Sequence, residues 1–185
     1  AKALTQKPQI INVHSGHDSW DTDTAVGYFQ RVLEIERELL ADSGITLVHE
    51  THRQRRLFSP YQTKALLARP ELAALKLNCD LSHWVTVCEK LFCPEEDPRD
   101  KWWPSVLATT AKHCHLIHLR VGHPEGPQVP DLQDPYYAKD IAEHLNWWAA
   151  IFAVQRNRGE LYHTCVTEHG PEPYQILPTA RTGRG

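Results

Sequence analysis

The chain has 185 residues, of which 41% are apolar and 23% charged, and its formal net charge is −3. That length suffices for one domain with a sizeable core, and the composition is ordinary for a soluble globular protein. An acidic balance without a long basic run argues against nucleic acid as a partner, and no apolar run approaches the roughly 20 residues of a membrane span.

Ile10 to Gly16 reads as a buried strand, with Asn12 and His14 on one face and Gly16 ending it. Thr24 to Leu40 reads as a helix whose apolar side carries Val26, Phe29, Val32, Leu33 and Ile35, with Asp42-Ser43-Gly44 as its stop. A second strand, Ile45 to Glu50, sets Thr46, Val48 and Glu50 on one face. A basic loop follows, and Ser59-Pro60 caps and opens a helix that runs to about Leu67.

The third strand, Leu75 to Asp80, puts Asn78 and Asp80 on one face. Helices are expected over Val85 to Leu91 and near Pro104 to Thr110, with an acidic loop, Pro94 to Asp100, between them. The fourth strand runs from His115 to Gly122. His118, Arg120 and Gly122 share one of its faces; Ile117, Leu119 and Val121 take the other. The two Gly and three Pro between Gly122 and Asp131 predict an ordered loop. Tyr136 to Arg158 is a long helix capped by Gly159. Tyr162 to Glu168 is a fifth strand with Thr164, Val166 and Glu168 on one face.

The alternation β-α-β-α-β-α-β-α-β predicts an α/β fold: a parallel sheet of about five strands with helices on its outer face, in one domain spanning 1–185. The five Cys, an odd number without a CxxC, predict reduced thiols, and no signal-peptide pattern opens the chain, so a cytoplasmic location is expected. The sequence contains no Met, even at position 1, which predicts a start further upstream.

Polar residues recur at the C-terminal ends of the strands: His14, Glu50, Asp80 with His83, His118 with Arg120, and Glu168. That edge carries the active site in α/β barrels and open α/β sheets. Glu50, Asp80, His118 and Glu168 supply three carboxylates and one imidazole. Three carboxylates pointed at one space repel and are costly to desolvate, and one divalent cation relieves both. Mixed oxygen and nitrogen donors suit Mn2+, Mg2+, Co2+ or Zn2+. The plainer reading is a row of solvated residues at strand ends.

The segments Ile11-Asn-Val-His-Ser-Gly16, Val48-His-Glu-Thr-His-Arg53 with Phe58-Ser-Pro60, Asp80-Leu-Ser-His-Trp84, Ile117-His-Leu-Arg-Val-Gly122 with Gly126-Pro-Gln-Val-Pro-Asp131, and Glu168-His-Gly-Pro171 with Pro173-Tyr174 share a pattern. Together they resemble the sugar phosphate isomerases and epimerases of the xylose-isomerase-like TIM-barrel superfamily. The resemblance implies that Glu50, Asp80, His118 and Glu168 are the metal ligands. It implies substrate-binding positions at His83 and Arg120, to which His14 and the neighbouring ring of Trp84 are added. Such barrels have eight strands, so the chain would hold the last five βα units of an incomplete TIM (β/α)8 barrel, with open sheet edges.

The expected function is therefore a divalent-metal-dependent isomerase or epimerase of a sugar or sugar phosphate. It would act by proton transfer through an enediolate, with Glu50 and Glu168 sharing the acid and base roles. The expected partners are a small sugar and either a second copy or a supplementing chain over the open edges, with neither nucleic acid nor membrane. Two alternatives stand beside it: a truncated barrel serving as a non-catalytic binding or assembly subunit, and an endonuclease IV-like phosphodiesterase, which the acidic charge disfavours. Arg53, Arg55 and Arg56 read as a solvated loop rather than a phosphate site. Trp147 and Trp148 read as helix packing, and Cys88 and Cys93 as packed thiols. The remaining histidines, among them His49, His52 and His144, read as surface or supporting residues.

Overall fold

The computed structural model describes residues 8–171 and 174. Among them are five strands: β1 (Ile10–Val13), β2 (Thr46–Glu50), β3 (Leu77–Cys79), β4 (Cys114–Leu119) and β5 (Cys165–Thr167). They pair in sequential order, all parallel, and the sheet curls into a half-barrel. The helices are α1 (Thr22–Leu40), α2 (Pro60–Leu67), α3 (Ser82–Val87), α4 (Trp103–His113) and α5 (Ala138–Asn157). The expected α/β class, parallel sheet and strand order are all present. Pro173 and the tail beyond Tyr174 lie outside the described residues.

Local chemistry sets the helix starts. The Asp21 carboxylate accepts from the Thr24 amide at 2.7 Å, so α1 opens at Thr22, two residues before the expected Thr24. The Ser59 hydroxyl accepts from the Gln62 amide and Pro60 takes the first helical position, as the sequence predicts. After α1, Gly44 turns the chain at φ +69°, a conformation L side chains resist.

One core lies between helices and sheet. Phe29, Leu66, Val106 and Ile151 from the helices meet Leu77, Cys79 and Ile117 from the strands, all buried. Within it Phe92 stacks on Trp103 with ring centroids 4.5 Å apart, and Trp147 meets Trp103 edge-to-face at 4.9 Å. Trp147 and Trp148 are core residues, as expected of helix packing.

Three departures from the expected elements matter. The strands are shorter than the apolar runs suggest, since only part of each run finds ladder partners. The helix expected over Val85 to Leu91 begins at Ser82, directly after Asp80, and ends at Val87. Glu89 then takes φ +48°, which closes the turn. Finally, β4 bulges against β3: Leu77 pairs with Cys114, but Asn78 pairs with Leu116, leaving His115 extra. Side chains alternate with period two, so without the extra residue Cys114 and His118 would share a face. With it, Cys114 enters the helix-side core while His118 points to the concave side.

The concave side is covered at its centre and open at its ends. Val48, Asn78 and Leu116 are buried there, whereas Asn12 on β1 and Thr164 and Val166 at β5 are exposed. Among the described residues, β1 and β5 each lack a strand on their outer side. No helix among them is long and apolar enough to cross a membrane.

Candidate functional site

The carboxyl ends of all five strands meet on the concave side. Glu50 ends β2, Asp80 follows β3 by one residue, His118 lies in β4, and Glu168 follows β5 by one residue. Their heads converge. His118 Nδ1 lies 2.5 Å from Glu168 Oε2, 3.6 Å from Asp80 Oδ2 and 3.8 Å from Glu50 Oε2. The sequence-predicted quartet is therefore a spatial cluster, with Glu50 and Asp80 buried and Glu168 about one-third exposed.

Neighbouring residues fix these heads. Asn12 Nδ2 and Asn78 Nδ2 donate to Glu50 Oε2 at 2.5 Å and 3.3 Å. Thr51 Oγ1 accepts from the Asp80 amide and donates to the Asp80 carbonyl, both at 2.8 Å. The Ser82 amide donates to Asp80 Oδ1 at 3.1 Å, and the Ser82 hydroxyl donates to the same oxygen. The last strand is held through a loop: the Gln128 amide bonds both N–H and C=O of Gly170, two residues past Glu168.

Arg120 is the hub. Its Nε donates to Ser82 Oγ at 3.1 Å, Nη1 to Glu168 Oε1 at 2.9 Å, and Nη2 to Asp80 Oδ2 at 2.5 Å. Nη2 also lies 2.7 Å from His83 Nε2, which must accept, since a guanidinium only donates. Arg120, expected to bind substrate, here serves the cluster itself. Nearly all its donors are spent on the cluster, and its face lies against the Tyr174 ring, which Arg53 also approaches. Gly122 makes this geometry possible. A Cβ there would sit 2.8 Å from the backbone of Ser82, so only glycine lets the end of β4 approach the start of α3.

The titration of the cluster follows from these contacts. Burial pushes His83 down to about 3, so it is neutral, in keeping with its acceptor role. Burial also works against a charge on His118, but the Asp80, Glu168 and Glu50 carboxylates outweigh it and lift it to about 9. For Asp80, burial would raise the carboxyl; His118, His83, Arg120 and Ser82 together hold it well below the usual carboxylate range.

Asp80, His118 and Glu168 each offer a ligand atom within 4.8 Å of one another, as do Glu50, Asp80 and His83, so the cluster can hold a divalent ion. His118 Nδ1 and Glu168 Oε2 are both buried and stand 2.5 Å apart as an ion pair. An ion held there would take the place of the proton that His118 carries between the carboxylates. Donors about 2.1 Å from a tetrahedral centre lie roughly 3.4 Å apart, close to the His118–Asp80 spacing of 3.6 Å, whereas the 2.5 Å between His118 and Glu168 is that of a direct ion pair.

The other expected positions divide. His14 and His83 are in the cluster: His14 Nε2 lies 3.2 Å from Glu50 Oε2, and His83 Nε2 lies 3.9 Å from Glu50 Oε1. Trp84 is a correction. It is fully buried, its indole N–H donates to the Leu57 carbonyl at 2.9 Å, and its ring packs against Trp103, so it offers no face to a sugar. Arg56, expected in a solvated loop, is buried and donates to Gln62. His49 and His144 are also buried rather than superficial. His49 bonds the Ser15 hydroxyl at 2.6 Å, and His144 accepts from the Gly122 amide, steadying the end of β4.

His52 is the residue that sequence reasoning passed over. Its ring stacks on His14 with centroids 4.2 Å apart and lies 4.0 Å from that of His83. A period-two count continued past the end of β2 from Glu50 would have reached it. Compared with known protein families, curated proteins and solved structures, the chain matches none.

Proposed function

We propose that the chain carries the site of a divalent-metal-dependent isomerase or epimerase acting on a sugar or sugar phosphate, and that the half-barrel is an incomplete (β/α)8 barrel. The observation that carries this reading is the convergence of the four heads, in which Asp80, His118 and Glu168 each present a ligand atom within 4.8 Å of one another. The motif resemblance points the same way.

Glu50, Asp80, His118 and Glu168 would hold the cation, whose chemistry when bound is Lewis-acid polarisation of adjacent carbonyl and hydroxyl oxygens. Glu168, the more accessible carboxylate, takes the proton from the carbon between those oxygens. Glu50 delivers a proton through Oε1, the oxygen that the two asparagine amides leave free. Delivery to the neighbouring carbon gives isomerisation; delivery to the opposite face gives epimerisation. Arg120 holds Asp80 and Glu168 in register, and His14, on the open side, binds a substrate hydroxyl.

The test is solvent exchange. Chelator-stripped protein reloaded with Mn2+ is incubated in D2O with a panel of ketoses and ketose phosphates, and carbon-bound deuterium is followed by NMR. Metal-dependent exchange is expected, lowered roughly 100-fold or more in Glu168→Gln. Calorimetry should show divalent affinity at least about tenfold weaker in that variant. Equal affinity in both proteins, or no exchange with any member of the panel, overturns the reading. The exposed Asn12, Thr164 and Val166 favour a second reading, a non-catalytic assembly subunit, which would fold well and show neither metal affinity nor exchange.

A further inference from the structure

The cluster has a second set of donors, of which only Glu50 belongs to the quartet. His14, His52 and Glu50 each present a ligand atom, and these three atoms lie within 4.8 Å of one another. Their elements differ: His14 follows β1, Glu50 ends β2, and His52 sits in the loop beyond β2.

Three features distinguish this group from incidental polarity. First, His14 Nε2 and Glu50 Oε2 lie 3.2 Å apart, yet no hydrogen bond joins them among the described residues. That spacing is close to the roughly 3.4 Å between donors of one tetrahedral ion. Second, His52 Nδ1 lies 2.5 Å from the Arg53 carbonyl, which can only accept. The proton is thereby fixed on Nδ1, and Nε2 keeps its lone pair, the tautomer control usual behind a metal-bound imidazole. Third, Glu50 Oε2 stands between the two sets, 3.2 Å from His14 and 3.8 Å from His118. That oxygen already accepts from Asn12 and Asn78, so the free Oε1 is the one left to join a second ion. The side chain of His14 is 41% exposed, so an ion can enter from solvent.

We propose that His14, His52 and Glu50 form a second divalent-cation site. Two imidazoles and one carboxylate make a nitrogen-rich set that favours Zn2+ or Co2+ over Mg2+, which prefers oxygen donors. The oxygen-rich quartet accepts a wider range. The chain therefore takes two unlike ions side by side, with Glu50 between them. This inference rests on the metal reading above through Glu50, which both sites share.

The experiment is a calorimetric titration of the chelator-stripped chain with Zn2+ and, separately, with Mg2+. The expected stoichiometry is two Zn2+ but one Mg2+ per chain. His14→Ala/His52→Ala should bind one Zn2+ and keep its Mg2+ affinity, whereas Glu168→Gln should weaken the other site by about tenfold or more. His14→Gln/His52→Gln, which preserves polarity, and a circular-dichroism spectrum guard against misfolding. One Zn2+ per wild-type chain, unchanged in both double variants but weakened in Glu168→Gln, overturns the second site and leaves the first intact. One Zn2+ lost in the double variants and indifferent to Glu168→Gln supports the second site while sinking the first. Two Zn2+ per chain in wild type and both double variants would also overturn the proposal.

Discussion

The two faces of the sheet bury polar groups by opposite means. Toward the helices, several buried polar side chains are neutral and satisfied locally: His49 with Ser15, His144 with the Gly122 amide and the Asp140 carbonyl, Gln155 with the Cys114 carbonyl. On the concave side they are charged and tied into one network. Asp80, Glu50 and Arg120 are nearly inaccessible, and Arg120 alone reaches Ser82, Glu168, Asp80 and His83. The helix side can lose one partner and remain a core. The concave side cannot, because each charge there is tolerated only through its neighbours.

The sharpest way to break that contrast is to remove one charge from the network. Arg120→Met leaves the buried Asp80 carboxylate without its counter-charge, and the expected loss is about 3–5 kcal/mol. His144→Leu on the other face removes one neutral acceptor, with an expected loss of about 1–3 kcal/mol. Urea denaturation of the metal-free proteins reads both. Equal losses would mean that the two faces are built alike.

His118 on the concave side should titrate in the opposite direction to the helix-side histidines, while its neighbour His83, pushed down to about 3, joins the acid limb. Burial pushes His49 and His144 down to about 4, from 6.5 in the unfolded chain. Above pH 6.5 both are neutral in either state and contribute nothing to the pH dependence. As pH falls from 6.5 to 4, the unfolded chain binds protons that the folded chain refuses, so stability drops by up to about 3 kcal/mol for each. His118 runs the other way: its contribution is fully present below pH 6.5 and is lost as pH rises through about 9. Metal-free stability should peak near neutral pH. His144→Gln should flatten the acid limb and His118→Gln the alkaline limb. Denaturation curves between pH 4 and 9 with chelator present test this, and a single limb common to both variants would contradict it.

Much of the concave site was legible in the sequence, for a definite reason. Period-two alternation places Glu50 with Val48, Asp80 with Asn78, and His118 with Arg120 whatever the length of the strands. What failed depends on backbone geometry that alternation does not encode. Trp84 was taken as a site residue because it adjoins His83. The two lie on a helix that starts at Ser82, where successive side chains point about 100° apart, so one faces the cluster and the other the core. The bulge at His115 rephases β4 without any sequence mark. The internal bonds of Arg120 were not legible because its partners lie 37 to 48 positions away. His52 was missed because it lies in a loop, where no period was assumed.

The smallest expected effect on stability concerns the ends of the concave side. Parallel sheets are ordinarily covered on both faces, and exposed edges are blunted by charge or proline. At the β5 edge neither device is present: Cys165–Thr167 carries no charge and no proline, Thr164 and Val166 are exposed, and Leu161 and Tyr162 are 85% and 90% exposed. Such an edge invites association with a second copy or with another chain that adds a strand. Tyr162→Lys/Thr164→Lys places charge on the edge while touching little that is buried, so monomer stability should shift by no more than about 0.5 kcal/mol. Its effect should instead appear in light scattering. The unaltered chain is expected to associate in a concentration-dependent way, and the lysine variant to remain monomeric at the same concentrations. An unaltered chain that stays monodisperse as a monomer would show that the curl of the half-barrel already protects its edge, and the contrast between a covered face and an open one would then lie in the charges alone.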